Sequence, residues 1–189
     1  PLRYGENPHQ DGWFSGNLED VFKQLHGKQI SYNNLLDIDS AIMLMEDFKD
    51  AIPTFAILKH NNACGFASRP SLVDAYSSAL EADPVSAFGG VLISNKEIDL
   101  QTANLINNLF CEVVIAPSFD LEALEILKSK KNRIILKQNN TIFPDKIVRS
   151  CLNGTLIQKR DSSVESIDSF ELKTNYSPTS SQMEDLYFA

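Results

Sequence analysis

Short apolar runs alternate with amphipathic stretches along most of this chain. Each run has the length of a buried strand, and the stretches between them carry apolar side chains at helical spacing. The apolar runs are residues 54–58, 91–93, 113–116 and 133–137. The helical stretches between them are residues 71–82, 99–110 and 120–128. This alternation predicts a layered α/β fold with a largely parallel sheet, in which functional groups gather where strands end.

Two further helices are predicted before the first apolar run. Leu18, Val21, Phe22 and Leu25 recur at helical spacing, and Gly27 follows them as a stop signal. Residues 38–48 show a second apolar face, with Asp37 in the position of an N-terminal cap.

The pattern weakens after residue 138. Residues 154–158 read as a strand, residues 159–179 as a polar loop or linker, and Ser181 and Glu184 have capping-box spacing at the start of a helix. The sequence therefore predicts an α/β core over about 1–137 and a strand, linker and helix over 138–189. Because that helix has no stop signal, we expect the chain to continue beyond Ala189; a short terminal helix is the alternative.

Composition narrows the class of protein. The chain has 189 residues, 43% of them hydrophobic, which is enough for one domain with a sizeable core. Its net charge of -8 disfavours nonspecific binding to nucleic acid or anionic membranes. No apolar run approaches the roughly 20 residues of a membrane span. The three cysteines, Cys64, Cys111 and Cys151, lie far apart, as expected for a reduced cytoplasmic location.

The first candidate site is Lys59 and His60, at the end of the run 54–58. Histidine exchanges protons near neutral pH, and an adjacent ammonium group can stabilise negative charge on a carbonyl oxygen. The alternative is a structural one, in which His60 caps the strand and Lys59 is solvated.

A second candidate is the segment ADPVSAFGG, residues 82–90. Paired glycines let the backbone approach a ligand and leave N–H groups free to face an anion or an amide. An ordinary turn that needs glycine for its geometry is equally compatible with the sequence.

Two other places carry candidate binding groups. The N-terminal loop contains Arg3, suited to phosphate contact, and Tyr4, suited to hydrogen bonding or stacking. Glu112 immediately precedes the run 113–116 and could accept hydrogen bonds from a ligand. A zinc deaminase site is excluded by its motif, because His60 is not followed by the required glutamate and Cys64 has no paired cysteine.

Three segments together resemble one enzyme family: LRYGENPHQ (2–10), KHNNACG (59–65) and ADPVSAFGG (82–90). In this order and spacing they are similar to the transformylase domain of the bifunctional purine enzymes that formylate aminoimidazole carboxamide ribotide (AICAR) and cyclise the product to IMP. Weaker similarities are SYNNLLD (31–37), EVVIAP (112–117) and LNGTLIQ (152–158). The resemblance covers the whole chain as the first half, 1–189, of that domain.

The resemblance implies a cytidine-deaminase-like α/β/α subdomain without zinc. It implies formyl transfer from 10-formyltetrahydrofolate to the 5-amino group of AICAR in a cytoplasmic homodimer. By position, Lys59 and His60 would be the catalytic pair, and Arg3 and Tyr4 would contact the nucleotide. Gly89 and Glu112 would line the base or ribose side.

The sequence departs from the family pattern at two places. Aspartate is usual where Glu112 stands, and proline is usual where Ala63 follows Asn62. The resemblance also implies that an asparagine, phosphate ligands and much of the folate pocket lie in the second half of the domain. We therefore expect this chain to be inactive alone. The alternative function is a non-catalytic nucleotide-binding or dimer-assembly module.

Overall fold

The computed structural model describes residues 1–139, 143–161, 163 and 166–189. The chain divides into two units, Pro1–Thr141 and Ile142–Ala189.

The first unit is built on a six-stranded sheet in the order β1-β6-β5-β4-β2-β3. The strands are β1 Phe22–His26, β2 Thr54–Lys59, β3 Asn62–Ser68, β4 Gly90–Ser94, β5 Cys111–Ala116 and β6 Ile134–Gln138. Four helices pack on it: α1 Tyr32–Glu46, α2 Leu72–Ala82, α3 Leu100–Ile106 and α4 Leu121–Lys128.

The helices cover both faces of the sheet. Buried side chains of α2, α3 and α4 share one cluster with Phe55, Ile57 and Leu92. The neighbouring strand residues Ala56 and Leu58 are equally buried and point to the opposite face, because side chains alternate along a strand. Helix α1 contacts β2 and β4. This three-layer arrangement explains why the central strands are apolar without interruption, and it confirms the predicted α/β class.

The central strands are parallel and the outer ones are antiparallel. Strand β5 pairs in parallel with both β4 and β6. Strand β2 is antiparallel to β3 and β4, and β1 is antiparallel to β6. The prediction of a largely parallel sheet therefore holds in the centre, and the sheet as a whole is mixed. The tight β2–β3 hairpin accounts for the reversed direction of β2; β2 corresponds to the predicted run 54–58, whereas β3 was not predicted.

The helix predicted over Leu18–Leu25 is wrong. Only a 3-10 turn, Leu18–Asp20, precedes strand β1, whose Phe22 is buried. Gly27 has φ +100°, and a Cβ atom there would lie 2.1 Å from the carbonyl oxygen of Arg133. The hydrogen bonds to β6 thus favour a strand over the helix that the short apolar pattern predicted. Gly27 allows the backbone to lie close to Arg133 and does not end a helix.

The start of α1 also differs from the prediction. Ser31 caps the helix and forms a capping box with Asn34. Asp37, predicted as the cap, lies inside the helix. By contrast, the predicted start of the stretch 71–82 is confirmed, since Ser71 caps α2 and accepts a hydrogen bond from the N–H of Asp74.

The second unit contains a hairpin of β7 Lys146–Cys151 and β8 Gly154–Lys159, followed by helix α5 Ser180–Phe188. The predicted strand at 154–158 is confirmed, whereas β7 was not predicted. Helix α5 is capped by Thr179 with Gln182 rather than by Ser181 with Glu184. Residues 162, 164 and 165 of the predicted linker lie outside the described residues. Among the helices of the described ranges, none has the length and apolar character needed to cross a lipid bilayer.

Candidate functional site

All six candidate residues line one cleft of about 690 Å³ in the first unit. The cleft lies where the carboxyl end of β2 meets the amino ends of β4 and β5, beside the N-terminal loop and the first turns of α1. Sites at parallel sheets were expected at carboxyl ends; here the antiparallel strand β2 brings its last residue to the opposite edge. The residues brought together are Arg3, Tyr4, Lys59, His60, Gly89 and Glu112.

His60 sits at the tip of a two-residue hairpin. Lys59 pairs with Asn62 across the ladder, so His60 and Asn61 form the whole connection. Both have positive φ, 55° and 66°, as type I′ turns require. The N–H of Asn61 donates to Oδ1 of Asp37 in α1 at 2.8 Å. The turn therefore presents an exposed imidazole from a backbone that a helix holds in place.

Lys59 is held over the glycine segment. Its Nζ donates to the carbonyl oxygen of Phe88. Gly89 has φ +76°, and a Cβ atom there would lie 3.6 Å from this Nζ. The ammonium group is thus anchored beside Gly89, and its hydrogen-bond partner among the described residues is an uncharged oxygen.

The backbone N–H groups of the paired glycines are already used. Gly89 donates to the carbonyl oxygen of Phe110 at 2.7 Å, and Gly90 donates to that of Ala87 at 3.0 Å. The expectation that these N–H groups are free to bind an anion is therefore wrong. The glycines serve geometry instead, because a Cβ atom at Gly90 would lie 2.9 Å from the carbonyl oxygen of Leu58.

Glu112 is the anionic group of the cleft with the best-defined partners. Its Oε2 accepts from Nζ of Lys28 at 2.9 Å and from Nδ2 of Asn34 at 3.2 Å. Burial alone raises the pKa of Glu112, but the hydrogen bonds from Lys28 and Asn34, with the charges of Lys28 and Lys59, together hold it below its ordinary value. Glu112 is thus a fixed, ionised acceptor.

Two residues that hold Glu112, Lys28 and Asn34, were not predicted as site residues from the sequence. Asn34 lies in the similarity segment 31–37, which was the available signal. Lys28 carried no signal, since its pairing with Glu112 depends on how β1 and β5 are arranged.

The N-terminal loop closes on itself and on α1. Leu2 donates to the carbonyl oxygen of Gly12 at 2.8 Å, and Asn33 Nδ2 donates to that of Glu6 at 3.1 Å. The Arg3 guanidinium lies 5.5 Å from the centre of the Tyr4 ring, within cation–π range. The loop thereby presents a cation and a phenol to the cleft.

The cleft combines an imidazole, an ammonium group, a guanidinium and a carboxylate. These groups can transfer protons and stabilise developing negative charge without redox chemistry. Within the described ranges, no group of three or more His, Cys, Asp or Glu side chains is arranged to hold a metal ion.

Comparison with known proteins assigns the family. The sequence model described as "AICARFT/IMPCHase bienzyme" matches residues 1–189. The chain therefore belongs to this family. Its α/β fold and its cleft are those described above.

Three relatives show the extent of the similarity, and each is named bifunctional purine biosynthesis protein PurH. The protein from Bacteroides thetaiotaomicron is 55% identical over 188 residues, which is 100% of this chain and 37% of that protein. Those from Chlorobium phaeobacteroides and Ruminiclostridium cellulolyticum are 40% and 43% identical, over 100% of this chain and 38% of each. The chain thus spans well under half the length of these relatives.

Proposed function

We propose that this chain is the first half of an AICAR transformylase domain in a longer cytoplasmic protein of purine (IMP) biosynthesis. The longer protein transfers a formyl group from 10-formyltetrahydrofolate to the 5-amino group of AICAR. The observation that carries the proposal is the convergence of Lys59, His60, Gly89 and Glu112 in one cleft of a chain from this family.

The reaction needs one bond made, one broken and one proton moved. The AICAR amine nitrogen bonds to the formyl carbon, that carbon leaves the folate nitrogen, and a proton passes from the amine to the folate nitrogen. His60 takes part in the proton transfer, since its imidazole is exposed at the tip of a fixed turn. Lys59 stabilises negative charge that develops on the formyl oxygen, because its ammonium group has no carboxylate partner among the described residues.

The remaining candidates bind the nucleotide. Arg3 binds the phosphate, because a guanidinium group makes paired hydrogen bonds to phosphate oxygens, and Tyr4 contacts the nucleotide beside it. Glu112 accepts hydrogen bonds from base or ribose, and its ionised state suits that role. Gly89 gives the ligand close access to the backbone, since it carries no side chain.

Two aromatic rings in the same cleft offer the folate an apolar contact. The rings of Phe88 and Phe110 lie 4.9 Å apart, and both side chains are more than half exposed. Exposed aromatic rings bordering a polar cleft favour stacking with a planar ligand. In our proposal the second half of the domain and a partner subunit complete this pocket, so the chain alone has little or no activity.

The test is His60→Ala in the full-length protein, with His9→Ala as the control. His9 is exposed and does not line the cleft. Loss of general acid–base catalysis should lower kcat by about 10²- to 10⁴-fold, while calorimetric binding of AICAR stays within about twofold and His9→Ala stays near wild type. An equal loss of binding and turnover would favour the alternative, a non-catalytic nucleotide-binding or assembly module.

A further inference from the structure

A second cavity, of about 410 Å³, adjoins the cleft. It is lined by the connection that leads from α3 into β5 and by the connection that leads from α4 into β6. It shares Lys28, Phe110 and Glu112 with the cleft. We call it the basic pocket, after Lys28, Lys130, Lys131 and Arg133 in its lining.

The charge of the basic pocket is unbalanced. Its lining contains four cationic side chains and one carboxylate, that of Glu112, which is already paired with Lys28. Lys130 and Lys131 are exposed and make no ion pair with any described residue. This local excess is notable in a chain whose net charge is -8, because the chain as a whole repels anions.

Arg133 adds a buried charge to which no described residue offers a carboxylate partner. Its side chain is only 3% exposed. Among the described residues its guanidinium donates to three uncharged oxygens, namely Oδ1 of Asn107 at 3.0 Å and the carbonyl oxygens of Leu127 and Leu109 at 3.3 and 3.4 Å. It also interacts with the thiol of Cys111, which is buried and uncharged because burial raises its pKa. Its Nε has no hydrogen-bond partner in the described structure. Buried cations are normally paired with an anion.

We propose that the basic pocket binds an oxyanion, a phosphate or a carboxylate group. Lys130 and Lys131 donate mobile charge-assisted hydrogen bonds, and buried Arg133 adds fixed positive charge that solvent screens weakly. Because the pocket borders the cleft across the Lys28–Glu112 pair, the oxyanion is either one end of a ligand held in the cleft or a free anion beside it.

A purely structural role for the same residues makes a different prediction. Arg133 contacts the carbonyl oxygen of Leu127 in the last turn of α4, where cations offset the helix dipole. If Arg133 only stabilised the end of α4, the pocket would bind no anion. Lys130 and Lys131 would then be solvated side chains, and their substitution would change the affinity for no ligand. The test therefore leaves Arg133 intact and changes the lysines.

The experiment is calorimetric titration of this chain with pyrophosphate and with inorganic phosphate at fixed ionic strength. The variant is the double substitution Lys130→Ala with Lys131→Ala. Its matched control is Lys23→Ala with Lys137→Ala, which removes two exposed lysines that face each other across β1 and β6 and line neither cavity. Circular dichroism checks folding, and Lys131→Glu is a second variant should the double one unfold.

We expect saturable pyrophosphate binding that weakens about tenfold in the test pair and by less than about twofold in the control pair. No binding by the wild type, or an equal loss in both pairs, would overturn the proposal. Neither result bears on formyl transfer, since the probe requires no folate and no turnover.

Further titrations identify the source of the oxyanion. If the double lysine variant loses affinity for AICAR but not for its nucleoside, the pocket binds the nucleotide phosphate. If it loses affinity for tetrahydrofolate but not for the pteroate that lacks glutamate, the pocket binds the glutamate carboxylates. If it loses affinity for neither ligand, the pocket binds free phosphate or pyrophosphate.

Discussion

The N–H of Asn61 donates a 2.8 Å hydrogen bond to Oδ1 of Asp37, so a residue of α1 holds the turn that carries His60. Asp37 itself lines the cleft. Its position suggests that α1 positions the imidazole as well as covering the sheet.

We predict that Asp37→Ala in the full-length protein lowers kcat by about tenfold or more, because small misplacements of reacting groups are costly. Asp37→Asn keeps the Oδ1 acceptor and should retain most activity. Steady-state kinetics of the two variants distinguish position from charge. An equal loss in both would mean that the Asp37 charge, rather than the hydrogen bond, is what matters.

His60 occupies a backbone conformation that its side chain does not favour. Its φ is 55°, a region that costs an L residue roughly 1 kcal/mol and costs glycine almost nothing. His60→Gly should therefore be about 0.5–1 kcal/mol more stable to urea than His60→Ala, while both lower the kcat of formyl transfer to a similar extent. Equal stability of the two variants would show that the turn is not strained.

Gly65 permits the close contact between β3 and α2. A Cβ atom at Gly65 would lie 1.9 Å from the carbonyl oxygen of Ala79, which is backbone. Gly65→Ala should destabilise the first unit by about 3 kcal/mol or prevent its folding. Gly154→Ala is the control, since its nearest neighbour would be 3.9 Å away. Urea unfolding measures both, and a near-neutral Gly65→Ala would contradict the packing described.

The Lys28–Glu112 pair makes stability depend on pH in a defined direction. The folded-state pKa of Glu112 lies below its ordinary value, so ionised Glu112 stabilises the fold. This contribution is fully present above the unfolded-state pKa of about 4.3 and is lost as the pH falls through the lower folded-state pKa. Because the Glu112 side chain is 34% exposed, solvent screening limits the contribution to about 0.5–1 kcal/mol.

Glu112→Gln tests that direction, because glutamine does not titrate. The wild type should be more stable than the variant at pH 7, and the difference in the free energy of unfolding should shrink as the solution is acidified below the glutamate range. A difference that stays constant with pH would show that the Glu112 charge is not what stabilises the pair.

Local sequence signals predicted much of the central fold. The strands β4, β5 and β6 are buried on both faces, so their uninterrupted apolar runs gave a strong signal. The caps Ser71, Asp99 and Asp120 begin α2, α3 and α4 at the starts that the pattern predicted.

The elements that failed depend on partners distant in sequence. Strand β1 is an edge strand with one well-buried residue, Phe22, and its short apolar pattern fits a helix equally well. Strand β3 begins with exposed residues directly after a two-residue turn, so the apolar pattern did not predict it. Because the hairpin was not predicted, the antiparallel direction of β2 was not predicted either. That direction places Lys59 at the amino ends of β4 and β5.

The candidate site shows the same division. The family motifs selected six residues that line one cleft, but motif matching gives no account of which atoms are already bonded. The N–H groups of Gly89 and Gly90 are used within the fold, and Lys28 reaches Glu112 across 84 positions of sequence. Both facts follow from tertiary packing, which no local pattern encodes.

The most direct test of the central claim is calorimetric titration of this chain with AICAR, run beside an assay of formyl transfer from 10-formyltetrahydrofolate. A half-site should bind AICAR weakly and show no turnover, and Arg3→Ala should weaken that binding while the control His9→Ala does not. Absence of AICAR binding would contradict the assignment of the cleft. Turnover by this chain alone would contradict the claim that a second half of the domain completes the active site.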